Sequence, residues 1–139
     1  MIMRCLLNIR YIATFCLISL FIPVCGCKKQ SDDIYTTVSL RAQMPDGRNI
    51  VRMEVDETLA GSFIRNLNTH MDYNFPLFVN GEGTVKLLKG VYLISFDATA
   101  TFSNGKHKRV RYSGSSSPEK ALNLLNDNEI VVLKLMELE

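Results

Sequence analysis

The thiols and imidazoles of this 139-residue chain do not gather at any spacing that would hold a metal or run a nucleophile. All four cysteines, Cys5, Cys16, Cys25 and Cys27, lie in the first 27 residues. A structural thiolate site needs four ligands, and Cys25-Gly26-Cys27 has no later cysteine to complete one. The two histidines, His70 and His107, have no second imidazole or cysteine at ligand distance along the chain. His70 stands between Asn68 and Asp72 in a polar stretch and reads as a solvated loop residue. General-base work would need a nucleophile beside it, and there is no Gly-x-Ser-x-Gly elbow. Ser115, Ser116 and Ser117 precede Pro118 and read as a turn. The expectation is no metal, no cofactor and no catalytic residue.

Acidic groups give the same answer. Asp56-Glu57 and Asn126-Asp127-Asn128-Glu129 could each offer oxygens to calcium, but neither follows the spaced Asp-x-Asp-x-Asp-Gly loop, so both read as turn residues. A glycosidase-type carboxylate pair is defined by distance in space, which sequence does not give. Lys106-His-Lys-Arg-Val-Arg111 is the one concentrated charge. Lys106, Lys108, Arg109 and Arg111 could dock an anionic headgroup or an acidic glycan. The first reading of such a run is instead a charged edge strand guarded against pairing with neighbours. Tyr73-Asn-Phe-Pro-Leu-Phe78 offers a sugar or protein contact if exposed, and core if not.

Ahead of these groups lies a leader of a recognisable order. Arg4 and Arg10 are followed by an apolar stretch from Tyr11 to Val24, then by small residues. Spanning a bilayer as a helix takes about 20 apolar residues; this stretch is shorter, carries Thr14 and Ser19, and meets Pro23 near its end. Phe21-Ile-Pro-Val-Cys-Gly-Cys27 resembles the lipobox of bacterial lipoproteins. The resemblance implies a helical signal peptide over residues 1–26, a cut between Gly26 and Cys27, and a lipid-bearing, palmitate-carrying Cys27 as first residue of the mature chain. Two or more acyl chains anchor a protein stably where one does not. Ser31, Asp32 and Asp33 are similar to the acidic export signal that takes Bacteroidetes lipoproteins to the outer face of the outer membrane. Residues 27–34 read as a flexible polar tether.

That cut changes the charge. The chain carries 16 Lys plus Arg against 14 Asp plus Glu; Arg4 and Arg10 leave with the leader and no acid does, so the remainder is formally neutral. A nucleic-acid partner loses its main support. The expected partners are a membrane, through the lipid, and an envelope glycan or protein.

The elements that must position everything else are strands. In Tyr35–Met44, Val38, Leu40, Ala42 and Met44 alternate with Thr37, Ser39, Arg41 and Gln43. Pro45-Asp-Gly47 supplies a turn and Asn49–Val55 a second strand, expected to pair with the first. Glu82–Leu88 and Val91–Phe102 are expected to pair around Lys89-Gly90. In the longer of these, Tyr92, Ile94, Phe96, Ala98, Ala100 and Phe102 share one face. Asn104-Gly105, both tolerant of positive φ, turn the chain into Lys106–Tyr112. Residues 59–71 read as strand and loop, and Glu129–Leu138 as the last strand. Pro118–Asn126 reads as a short helix, with Ser117 as cap, Pro118 at its first position and Ala121, Leu122 and Leu125 on one face. The sum is one all-β domain over residues 35–139: an antiparallel β-sandwich of about seven strands with one short helix before the last.

Gly83-Thr-Val-Lys-Leu-Leu-Lys-Gly-Val-Tyr-Leu-Ile-Ser-Phe96 resembles the late strands of prealbumin-like, or Cna B-type, domains, in which an apolar strand leads through Gly to a Tyr-bearing strand. The resemblance implies an immunoglobulin-like sandwich and a non-catalytic surface protein. The last strand has no internal Asn, so the isopeptide cross-link of some such domains is not carried over. Two rival expectations stand beside it: a subunit of a fimbria or other surface polymer, and a small envelope enzyme or inhibitor.

Overall fold

The structure, a computed structural model, describes residues 34–139, which belong to one compact unit. Eleven strands run through it: β1 (Tyr35–Gln43), β2 (Ile50–Val55), β3 (Phe63–Asn66), β4 (Asp72–Tyr73), β5 (Phe78–Val79), β6 (Glu82–Leu88), β7 (Gly90–Phe102), β8 (His107–Ser115), β9 (Leu122–Leu124), β10 (Asn128–Lys134) and β11 (Met136–Glu137). The all-β expectation holds. The count of seven does not, because four of the strands are only two or three residues long and carry too little alternation to be seen.

Alternation built the long strands as expected. Along β7 every second side chain from Tyr92 to Phe102 is buried to 2 % exposure or less, and Val38 and Leu40 of β1 are fully buried. These rows meet Met53, Ile64, Phe78, Leu87, Val110, Tyr112, Val131, Leu133 and Leu135 in one core cluster. Tyr92 buries its ring there, and its hydroxyl donates to the Leu88 carbonyl at 2.7 Å. Burial pushes that phenol well above its ordinary pKa.

Partners, by contrast, are not the sequence neighbours. β1 does not pair with β2; it lies antiparallel to β6 and parallel to β10, with Thr37 opposite Asn128 and Gln43 opposite Lys134. The sheet is therefore mixed rather than wholly antiparallel. β6 and β7 do not form a hairpin either, because the Lys89 N–H donates to the Ile34 carbonyl and sends the chain elsewhere. β7 is the spine. One of its edges holds β2 and β3 in succession, and the other holds β8 and β9.

Two hairpin links carry positive φ, and Gly47 and His70 adopt it in other turns. Asn80 (φ 51°) and Gly81 (φ 76°) close a two-residue β5–β6 hairpin of the primed type, unread in the sequence. In the β7–β8 connection only Gly105 takes positive φ (76°), and its N–H donates to the Phe102 carbonyl, so the link is a three-residue loop rather than a primed turn on Asn104-Gly105. The expected helix over Pro118–Asn126 is also corrected. Only Pro118–Lys120 coil, as a 3-10 turn whose Ser117 makes no side-chain cap. Leu122–Leu124 then pair with Gly90–Tyr92, satisfying backbone groups that a helix would leave unmet. Leu124 is buried and Leu125, assigned to the helix's apolar face, is 60 % exposed. The last strand is broken at Leu135, fully buried, whose N–H donates to the Gln43 carbonyl; β10 lies on one side of it along β1 and β11 on the other along β8. No helix among the described residues is long and apolar enough to cross a membrane.

Candidate functional site: the basic ribbon and its carboxylates

Strand periodicity divides the basic run between two faces. On β8, Val110 and Tyr112 point into the core, so Lys108 shares their side, while His107, Arg109 and Arg111 stand on the other. The hairpin register sets Asp97 of β7 opposite Arg111, Thr99 opposite Arg109 and Thr101 opposite His107.

Asp97 is the centre of the outer group, with its side chain 13 % exposed. Arg111 binds it with both arms, Nε to Oδ1 at 2.6 Å and Nη2 to Oδ2 at 2.8 Å. Arg109 reaches the same carboxylate only at 3.9 Å and is 57 % exposed. The Arg111 hydrogen bond holds the Asp97 carboxyl below its usual range, against the opposing effect of burial, and Asp97 raises Arg111 in return. The Asp97 N–H donates to Ser62 Oγ at 3.3 Å. A surface groove of about 460 Å³ opens beside the pair, lined by Leu59, Ser62, Ser95, Asp97, Arg111 and Ser113 among others.

The inner-side group is separate. Lys108 pairs at 2.9 Å with Glu137 of β11, which also takes Nη2 of Arg48. The Arg48 guanidinium lies 4.5 Å from the centre of the Phe102 ring, so this cluster covers one end of the core. Arg48 first and Lys108 second hold the Glu137 carboxyl below its ordinary value. Lys106, in the hairpin loop, has no ion pair among the described residues. Its backbone N–H donates to Asn104 Oδ1 at 3.0 Å. Of the four cations picked from sequence, Arg111 and Lys108 are engaged, and Lys106 and Arg109 are the ones presented outward. The far edge of β8 is not bare: Met136 and Glu137 pair with Arg111 and Val110, and the Leu138 N–H donates to the Arg109 carbonyl.

The other sequence candidates resolve into structure. Asp56 Oδ1 accepts from the N–H and hydroxyl of Thr58, and Glu129 Oε1 accepts from Asn126. Glu57 accepts the Phe75 N–H and Asp127 pairs with Lys89. No three His, Cys, Asp or Glu side chains among the described residues are placed to share a metal ion. His70 is exposed, at φ 58° in a turn. Ser115 is buried with Oγ 2.9 Å from the Tyr112 hydroxyl, so of the three serines it is core rather than loop. The Tyr73–Phe78 stretch packs mainly inward: Phe75 meets Phe96 edge-on at 5.2 Å, Phe78 is fully buried, and Leu77 alone of its large side chains is well exposed, at 59 %. Gly26, Cys27, Ser31, Asp32 and Asp33 lie outside the described residues.

Asp97 and Glu137 were not singled out from sequence. A signal for Asp97 existed: a hairpin turning through Asn104 sets residue 97 against residue 111, and an arginine on a sheet face is a prompt to look across the register for its carboxylate. No protein-family model, characterised protein or solved structure matches this chain. Its chemistry is therefore read from its own residues.

Proposed function

We propose that this chain is a lipid-anchored lipoprotein of the bacterial outer membrane whose β-domain works as a non-catalytic binding or structural accessory. The anchor is Cys27, carried by the resemblance of residues 21–27 to a lipobox, with Ser31, Asp32 and Asp33 as its export signal. We also propose that the sheet closes over its core as an immunoglobulin-like β-sandwich. In support, β10–β1–β6 and β2–β7–β8–β11 send their inward rows to one cluster, and the chain passes from the first group to the second at Leu135. The Tyr92 hydroxyl tied back to a carbonyl four residues upstream is a corner device of such domains.

The observation that carries the binding role is the imbalance around Asp97. One carboxylate answers Arg111 fully and Arg109 loosely, a serine-lined groove adjoins the Asp97–Arg111 pair, and Lys106, farther along in the hairpin loop, has no ion pair among the described residues. Cations presented beside hydroxyls suit an anionic ligand, a phosphate- or carboxylate-bearing envelope glycan.

Protease shaving and palmitate labelling of intact cells test the anchor. Wild type is labelled and cleaved from outside; Cys27→Ala loses the label and the membrane fraction, and neutralising Asp32 and Asp33 protects the protein from protease. A Cys27→Ala chain still processed and lipid-labelled ends the reading. For the ligand, retention of the full chain on acidic but not neutral polysaccharide, lost in Lys106→Glu with Arg109→Glu and weakened by salt, is the expected result. A second reading, a subunit of a surface polymer, draws on the outer edge of β10, which has no strand beside it among the described residues. Ladders on native gels would favour it.

A further inference from the structure

β10 is the one long strand with no strand at all along one edge among the described residues. Its only hydrogen-bonded neighbour among the described residues is β1. The outer edge of β8 carries β11 at Val110 and Arg111, β6 has β5 beside it at Glu82, and β4 and β9 expose only two and three residues. β10 runs seven residues, Asn128–Lys134, without Pro, Gly or a bulge. Its charges sit near its ends, and Glu129 is tied to the Asn126 turn. Devices that blunt an edge are therefore missing along Ile130-Val-Val-Leu133.

The direction of the open backbone groups follows from the hydrogen bonds. The Asp127 carbonyl accepts from the Thr37 N–H and the Leu135 N–H donates to the Gln43 carbonyl, both at 2.9 Å. Odd-numbered residues of β10 thus turn their N–H and C=O toward β1. Asn128, Ile130, Val132 and Lys134 turn theirs toward the open edge. On the side-chain axis, Val131 and Leu133 are buried, while Ile130 and Val132 are 59 % and 44 % exposed.

We propose that this edge is filled by β10 of a second copy, antiparallel, with Val131 on the two-fold axis. That register sets Ile130 opposite Val132 of the second copy and Asn128 opposite its Lys134. All four are residues whose backbone groups face outward, so each opposed pair can exchange both hydrogen bonds. It uses the whole strand, joins the two exposed apolar side chains of each copy, and brings no like charges opposite each other. A shift by one residue would set Ile130 against the buried-side Leu133 and mismatch the faces. A shift of the axis to Val132 would set Ile130 against Lys134 and leave Asn128 unpaired. The pairing is isologous and closes on itself, so it forms a dimer and not a fibre. It is independent of the lipid anchor proposed above.

Sedimentation velocity of the full chain in mild detergent, across a concentration series, tests this. Wild type is expected to reach twice the mass of the monomer. Ile130→Lys with Val132→Lys raises the dissociation constant by at least about tenfold with unchanged circular dichroism, because both sites are exposed. Ile130→Lys with Val132→Glu sets Lys against Glu across the axis and restores the dimer; in the register centred on Val132 it would set Glu against Glu and would not. Val51→Lys with Val79→Lys, exposed to 44 % and 52 % on other strands, leaves the dimer intact. A wild type monomeric throughout, ladders beyond the dimer, failure of the Lys/Glu variant to pair, or dissociation of the Val51 and Val79 variant would each overturn the proposal.

Discussion

Two strands of this sheet, β8 and β10, differ in how their outer edges are covered. β8 carries three exposed cationic residues, Lys108, Arg109 and Arg111, and its far edge is hydrogen-bonded at Arg109, Val110 and Arg111 by Met136–Leu138. β10 carries Ile130 and Val132 outward and has no cover among the described residues. Charge thus sits on a strand whose edge is partly covered at Arg109, Val110 and Arg111, and apolar surface sits on one without cover among the described residues. The basic run therefore lies on a strand that its own chain covers only in part. Its cations are bound to two carboxylates or presented on the face of the sheet, while the strand that would need a guard lacks one.

Leu135 joins the two regions, and breaking it has the largest expected effect. It is fully buried, so Leu135→Ala should cost about 2–5 kcal/mol of unfolding free energy in urea titration and loosen both β10 and β11. Hydrogen exchange that rises at one of the two strands alone would show that they are independent. Next comes Asp97→Asn. The carboxylate is well covered but its partner is half-exposed and solvent-screened, so about 1 kcal/mol is expected, read as a lower midpoint in the same titration. The substitution also frees Arg111 and Arg109, and retention on acidic polysaccharide should increase. A decrease would mean that the pair itself, rather than its spare cations, makes the binding surface.

The same residue sets a pH dependence. Its folded pKa lies below the unfolded carboxylate value of about 3.9, so its contribution is fully present above that value and is lost as pH falls through the folded pKa. Wild type should lose more stability than Asp97→Asn as pH is lowered from about 5 toward 3; parallel curves would remove Asp97 from the account. The smallest effect on stability is Val132→Lys, within about 0.5 kcal/mol, since the side chain is exposed. A larger loss in a monomeric sample would show that the open edge of β10 is packed against something within its own chain.

Period-2 patterning made the faces of the long strands legible. The buried row of β7, the outward polar row of β1 and the β7–β8 hairpin could all be named from residue types. Partners could not, because alternation says which side of a strand is buried and nothing about which strand lies beside it. Hence Pro45-Asp-Gly47 and Lys89-Gly90 read as hairpins, whereas β1 takes its neighbours from residues 82–88 and 128–134. The helix expected at Pro118 failed for a related reason: Leu122 fits a helical face with Leu125 and a strand face with Leu124, and the open backbone of Gly90–Tyr92 decided between them. For the site, the cations were visible as a run, but Asp97 was one polar residue in an alternating row. Its role appears only when the hairpin register is written out.

The parallel pairing of β1 with β10 also fixes how the domain meets a mechanical load. Suppose the chain is held before Tyr35 and drawn from its C-terminal end. Glu137 and then Met136 come away from β8 one pair at a time, and the pull then reaches Lys134. From there to Tyr35 the whole ladder, Asn128 against Thr37 through Lys134 against Gln43, lies between the two points of force. Its hydrogen bonds are loaded together, in shear. They must yield as a group, which makes this terminal pair the domain's clamp against being drawn out from its ends.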